Sequence, residues 1–174
     1  QGKSIEEIMR KLMDQPFFPV TVDLLAATLI FNDFEAGEEI EISDKITLQT
    51  APLNHPGGST GYRVNYDGRS LCYVTDTEHV PGQPNENILK LIEGADMLVY
   101  DSNFTDEEFP NYVGWGHSTW QEGARLAEMA NVKTFVVFHH DPSHTDDFMD
   151  QVAKDVGVMK PGSLVAKEGA VLYI

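Results

Sequence analysis

From residue 80 onward the chain alternates short apolar runs with amphipathic stretches, and this alternation limits the folds open to it. "DMLVYD" (96–101) and "TFVVFHH" (134–140) are too short for buried helices and carry the β-branched and aromatic residues of strands. Helical periodicity over roughly 85–93, 119–130 and 145–156 separates and follows them, and "GAVLYI" (169–174) reads as a terminal strand. Upstream, 24–50 is rich in β-branched residues and alternates apolar with polar positions over 38–42 and 46–50, which predicts several antiparallel strands. "YRVNYDGRSLCYVTD" reads as a hairpin turning at Asp67-Gly68. Strand runs followed by β-α alternation predict an α/β fold, a mixed sheet with helices on at least one face. Before it, Ile5, Ile8, Met9, Leu12 and Met13 fall at helical spacing behind Ser4, an N-cap with Glu7 three residues on. No linker, repeat or low-complexity segment interrupts the chain, so residues 1–174 are expected to form a single domain.

With 41% apolar residues in 174, the chain has enough apolar surface to bury a core, which excludes disorder. Its net charge of −16, with the basic residues scattered, repels phosphate backbones at long range and argues against an extended nucleic-acid footprint. A small anionic substrate stays open if metal ions supply local positive charge. The single cysteine, Cys72, excludes an internal disulfide and a multi-thiolate zinc site, and its apolar neighbours make it a small buried hydrophobe. There is no membrane-spanning apolar run and no signal-peptide anatomy, so the expected location is cytoplasmic, with no membrane partner.

All six histidines come after residue 54, each at a predicted strand end or in the loop that follows. A lone histidine there is ordinarily a satisfied polar residue. As a set, however, His55, Asp76 and His139 offer imidazole and carboxylate ligands suited to zinc, manganese or iron. Pro56, Gly57 and Gly58 after His55 let the backbone turn sharply beside a ligand, and a plain tight turn explains them equally well. Ser118 and Thr119 read as caps of the next helix, and Trp115 and Trp120 as packing residues, with a pocket wall as the alternative for Trp115. Thr145, Asp146 and Asp147 likewise read as a helix start.

In order, "PFFPV", "LNHPGGSTGYRV", "YVTDTEH", "MLVYDSNFTDEE", "GWGHST" and "FVVFHHDPSHTDD" resemble the C-terminal part of a metallo-β-lactamase-fold hydrolase. The resemblance lies in the branch of tRNA-maturing RNase Z endonucleases and small cyclic-phosphate phosphodiesterases. It implies the C-terminal part of an α/β/β/α sandwich, a mixed sheet with helices on one face. It also implies two divalent metal ions, zinc first and manganese or iron as alternatives. His55 matches a ligand of one metal, Asp76 the aspartate bridging both, and His139 the last histidine ligand, with His140 as the alternative one residue on. His117, backed by Asp101, matches the proton donor to the leaving group.

The H-x-H-x-D-H pattern of that family is absent, for no histidine precedes His55. Each metal would then have too few ligands for a closed site. The expectation is therefore a domain incomplete at its N-terminus, a fragment inactive alone, and the start at Gln1 without a methionine favours that reading. Its partner would be a second copy in a homodimer or a complementary N-terminal segment. The parent activity implied is that of a phosphodiesterase using a dinuclear metal-activated hydroxide on a small anionic substrate. The alternatives are ester, lactone or thioester hydrolysis on the same fold, or an inactive chain that associates through an exposed sheet face.

Overall fold

A computed structural model describes residues 3–174, with Gln1 and Gly2 lying outside the described residues. The chain divides into two compact units, one ending at Glu35 and one over Ala36–Ile174. In the first, helix α1 (Ile5–Leu12) opens with the expected capping box: Ser4 Oγ accepts from the Glu7 amide at 3.2 Å, and Glu7 accepts from the Ser4 amide at 3.0 Å. Strands expected from residue 24 do not begin until residue 39. The polar pair Asn32-Asp33 breaks the apolar run, and the Asp33 carboxylate accepts the Ile5 amide at 2.7 Å instead.

The second unit is built on one sheet of seven strands in chain order: β1 (Glu39–Ser43), β2 (Ile46–Leu53), β3 (Ser59–Tyr66), β4 (Arg69–Val74), β5 (Met97–Asp101), β6 (Thr134–Phe138) and β7 (Leu164–Val165). The first four pair antiparallel and the last four parallel. Asp67 and Gly68 both take positive φ, 49° and 75°, the backbone that a two-residue hairpin turn between β3 and β4 requires. Parallel pairing needs crossovers, which α2 (Glu86–Ile92), α3 (Trp120–Met129) and α4 (Asp146–Met159) supply. The terminal strand is displaced from the expected position: Leu164 and Val165 pair with Val136 and Val137, whereas 169–174 is exposed and unpaired. The pairing uses the shorter path back from α4, leaving "GAVLYI" outside the sheet.

Alternation along the strands decides where the core sits. Cys72 and Val74, Leu98 and Tyr100, and Phe135 and Val137 lie side by side across β4, β5 and β6, all fully buried. They join Ile88, Ile92, Ala124, Ala127, Val152 and Val156 of the three helices in one cluster, so the helices cover a single face. Burial pushes the Cys72 thiol up to about 12, which keeps it an inert apolar residue, as the sequence implies. On the other face Tyr73 is 41% exposed and Leu71, Val99 and Phe138 are half-buried, while Met97 and Val136 beside them are buried.

Arg63 ties helix to sheet by donating to the Leu91 and Glu93 carbonyls at the end of α2, at 3.0 and 2.7 Å. α3 approaches the sheet closely through Gly123, where a Cβ would fall 2.6 Å from the Tyr100 ring and 2.7 Å from the Phe135 ring. Gly123→Ala is expected to cost about 1–3 kcal/mol by overpacking. Urea denaturation checks this, and an unchanged midpoint would show that α3 is free to shift.

Candidate active site

β2, β4, β5 and β6 all run in the same direction, because β2 and β4 are each antiparallel to β3 and β4–β6 are parallel. Their C-terminal ends therefore meet at one edge of the sheet, where ligand-binding loops collect in open α/β sheets. His55 follows β2, Asp76 follows β4, Asp101 ends β5 and His139 follows β6. His117 reaches the same edge from the loop before α3. Thus the five residues singled out by sequence converge: His55, Asp76 and His117 offer ligand atoms within 4.8 Å of one another, and so do Asp101, His117 and His139. His117 is common to both groups. Among the described residues no such group forms around His140, whose Nε2 lies 3.3 Å from the Ala166 carbonyl.

Two of these residues leave their strands in the left-handed region, Asp76 at φ 58° and His139 at φ 64°. Such backbones cost free energy in residues with a Cβ and persist where surrounding bonds hold them. Here the bonds lead to Asp101, which is completely buried. Its Oδ2 accepts from His117 Nδ1 at 3.0 Å, His139 Nδ1 at 3.2 Å and the amides of Asp76 and Thr77 at 2.9 and 3.3 Å. Its Oδ1 accepts from the amides of Ser118 and Asn103 at 3.2 and 3.3 Å.

Burial alone would push the Asp101 carboxyl up, but the hydrogen bonds from His117 and His139 outweigh it and hold the group below the ordinary carboxylate value. The same bonds to Asp101 raise both imidazoles, against the opposing effect of their partial burial. With Nδ1 committed to Asp101, each ring turns Nε2 outward as its free nitrogen. Imidazole and carboxylate oxygens gathered in this way suit borderline divalent metals such as zinc, so the donor set fits a metal centre.

A family model described as a beta-lactamase superfamily domain matches residues 6–140. The chain belongs to the β-lactamase superfamily, in its metallo-β-lactamase fold. Ribonuclease Z of Haloferax volcanii is 28% identical over 145 residues, covering 83% of this chain and 41% of that protein. Ribonuclease Z of Gemmatimonas aurantiaca is 30% identical over 133 residues, covering 76% and 38%. The chain thus spans less than half the length of these relatives. Among solved structures, the metallo-β-lactamase fold protein YhfI of Bacillus subtilis superposes with a TM-score of 0.66 at 18% identity, over 95% of this chain and 60% of that one. The shared fold accounts for the mixed sheet with helices on one face.

The remaining histidines separate cleanly. His144 stacks on Phe148 with ring centroids 4.1 Å apart and bonds to Glu108 at 2.9 Å, a packed role, while Thr145 caps α4 as expected. Thr119 caps α3, but Ser118 does not: it is buried and bonds to His79 at 2.8 Å and to the Tyr100 hydroxyl at 3.0 Å. Sequence reasoning passed over Glu78, whose carboxylate accepts from the Gly114 and Gly116 amides. The only available signal was its place in "DTEH", two residues after the site aspartate.

In the metal-free chain Asp101 and its two imidazoles stabilise one another over a limited pH window. The Asp101 contribution is present above the ordinary carboxylate value of about 3.9 and is lost as pH falls through its lower folded value. The imidazole contribution is complete below the ordinary value of about 6.5 and is lost as pH rises through the raised folded values. The stability gap between the chain and Asp101→Asn should therefore be widest, at about 3 kcal/mol, between about pH 4 and 6.5, and narrow on both sides. Urea titrations at about pH 3, 5.5 and 9 test this, and a gap independent of pH would contradict it.

Proposed function

We propose that this chain carries half of the catalytic centre of a metal-dependent hydrolase that cleaves a small phosphodiester, with His117 as the proton donor to the leaving oxygen. The observation behind this is the 3.0 Å bond between His117 Nδ1 and the fully buried Asp101 carboxylate. It fixes the ring's tautomer and orientation, favours the imidazolium and leaves Nε2 to deliver a proton beside His55 and Asp76. An acid held in this way matters most when the leaving group is a poor one, such as an alkoxide. His55, Asp76 and His139 would hold divalent metal ions, zinc first, which when bound would supply Lewis-acid charge and lower the pKa of a water.

Ribonuclease Z relatives, by their name, support a phosphorus-centred reaction and make RNA the competing substrate class. The net charge of −16 favours a small phosphodiester over a long polyanion. The partly exposed apolar side chains Leu71, Tyr73, Val99 and Phe138, on the sheet face away from the helices, support a reading in which a complementary segment or a second copy covers them.

Elemental analysis and bis(p-nitrophenyl) phosphate hydrolysis, run on this chain and on a version lengthened at its N-terminus, test the proposal. The lengthened form is expected to hold two divalent ions and to turn over. His117→Ala should then lower kcat by about 10²–10⁴-fold with its metal content intact. Loss of metal in that variant would make His117 a ligand instead, and absence of both metal and activity from the lengthened form would refute the hydrolase reading.

Light scattering at micromolar protein tests this reading of the face. The short chain is expected to self-associate and Tyr73→Glu to weaken the association; a strictly monomeric chain would mean the face tolerates water.

A further inference from the structure

The geometry points to Glu78 and His79 as a two-sided clamp that positions His117, one residue holding the backbone before it and the other the residue after it. The inference deepens the function proposed above and rests on the role given there to His117.

His117 belongs to the long loop between β5 and α3, and an exposed glycine-flanked turn precedes it. Gly114 and Gly116 take φ of 92° and 87°, and Trp115 between them is 63% exposed. One carboxylate oxygen, Glu78 Oε2, accepts both glycine amides, at 2.7 and 2.9 Å. Two amide donors gathered on one carboxylate oxygen hold both glycines of the turn at once. Glu78 is itself anchored to the end of β2: its amide donates to the Asn54 carbonyl at 2.7 Å, and its carbonyl accepts from Asn54 Nδ2 at 2.9 Å. The clamp therefore ties the His117 turn to the residue next to His55. The fit is close, since a Cβ on Gly116 would lie 2.4 Å from His55 Cδ2 and 2.8 Å from Pro56 Cδ.

On the other side of His117, Ser118 is held by His79. The His79 ring is buried, stacks on Phe109 with centroids 4.1 Å apart and places Nδ1 2.8 Å from Ser118 Oγ. Ser118 Oγ in turn meets the Tyr100 hydroxyl of β5 at 3.0 Å, and the Ser118 amide donates to Asp101. Burial lowers His79 and so favours the neutral imidazole, and the ring begins a hydrogen-bond chain through Ser118 to Tyr100. A buried polar chain of three side chains is a costly way to fill space that apolar residues would fill as well. Its return is register: Ser118 cannot slide without breaking the chain, so the His117 ring stays in line with Asp101. Misplacing a catalytic group by about 1 Å can cost on the order of 100-fold in rate.

The test uses Glu78→Ala, Glu78→Gln and Ser118→Ala in the 174-residue chain, each checked for a cooperative melt. Glu78→Ala is expected to speed hydrogen exchange at the Gly114 and Gly116 amides at least tenfold and to abolish the downfield His117 Nδ1–H resonance, identified by its loss in His117→Ala. Glu78→Gln, which keeps an acceptor oxygen, should retain the resonance. Ser118→Ala should lose it while Gly114 and Gly116 stay protected, because it releases only the far side. An undisturbed resonance in both Glu78→Ala and Ser118→Ala overturns the clamp, and so does exchange that does not change in Glu78→Ala. These readouts need neither metal nor turnover, so the clamp and the hydrolase reading can fail separately. In an active lengthened protein, Glu78→Ala should lower kcat with little change in KM, and an unchanged kcat would reduce the contact to a structural one.

Discussion

Asp101 is the constraint on which the rest of the site depends. A fully buried carboxylate is tolerable only when its charge is met from nearly every direction, and six N–H groups meet it here. These donors come from separate parts of the chain: the turn after β4, the loop after β5, the His117–Ser118 pair and the end of β6. Meeting one charge therefore fixes four segments in space. The left-handed backbones of Asp76 and His139 are best understood in the same way, since the Asp76 amide and the His139 ring both bond to the buried carboxylate.

The sheet makes that convergence possible. Had β2 and β4 run in opposite directions, His55 and Asp76 would lie at opposite edges. The intervening strand β3 reverses the chain twice, so both ends come to the edge where β5 and β6 also finish. Packing reinforces the arrangement from below. Tyr100 lies in the core between α3 and the sheet and carries a hydroxyl to Ser118, one residue from His117. Close packing at Gly123 holds that ring in place, so core geometry and site geometry are linked through one side chain.

Much of this was legible in the sequence, where periodicity was strong. The crossover helices, the hairpin at Asp67-Gly68 and the central strands follow from apolar spacing and turn chemistry. His55, Asp76 and His139 could be picked out because imidazoles and carboxylates just past apolar runs emerge at strand ends, whereas Asp101 and His117 were marked only by the family resemblance. Pairing choices were not legible. "GAVLYI" has a better strand composition than Leu164–Val165, yet the latter pair wins the place beside β6 because the chain leaving α4 reaches it first. Residues 25–35 failed as strands for a similar reason: apolar content alone supplies no partner. Ser118 read as a cap because its neighbour is one, and only three-dimensional contact with Tyr100 and His79 distinguishes the two.

Charge gives the last step of the argument. A chain with 28 acidic and 12 basic residues presents a poor surface for an anionic substrate, and the site edge adds Asp76 and Asp101. The positive charge available at that edge comes from the His117 and His139 imidazoles, and Asp101 already spends its charge on stabilising it. Without bound cations, then, the site would repel what the proposed reaction requires it to hold. Divalent ions held at that edge would reverse the local sign.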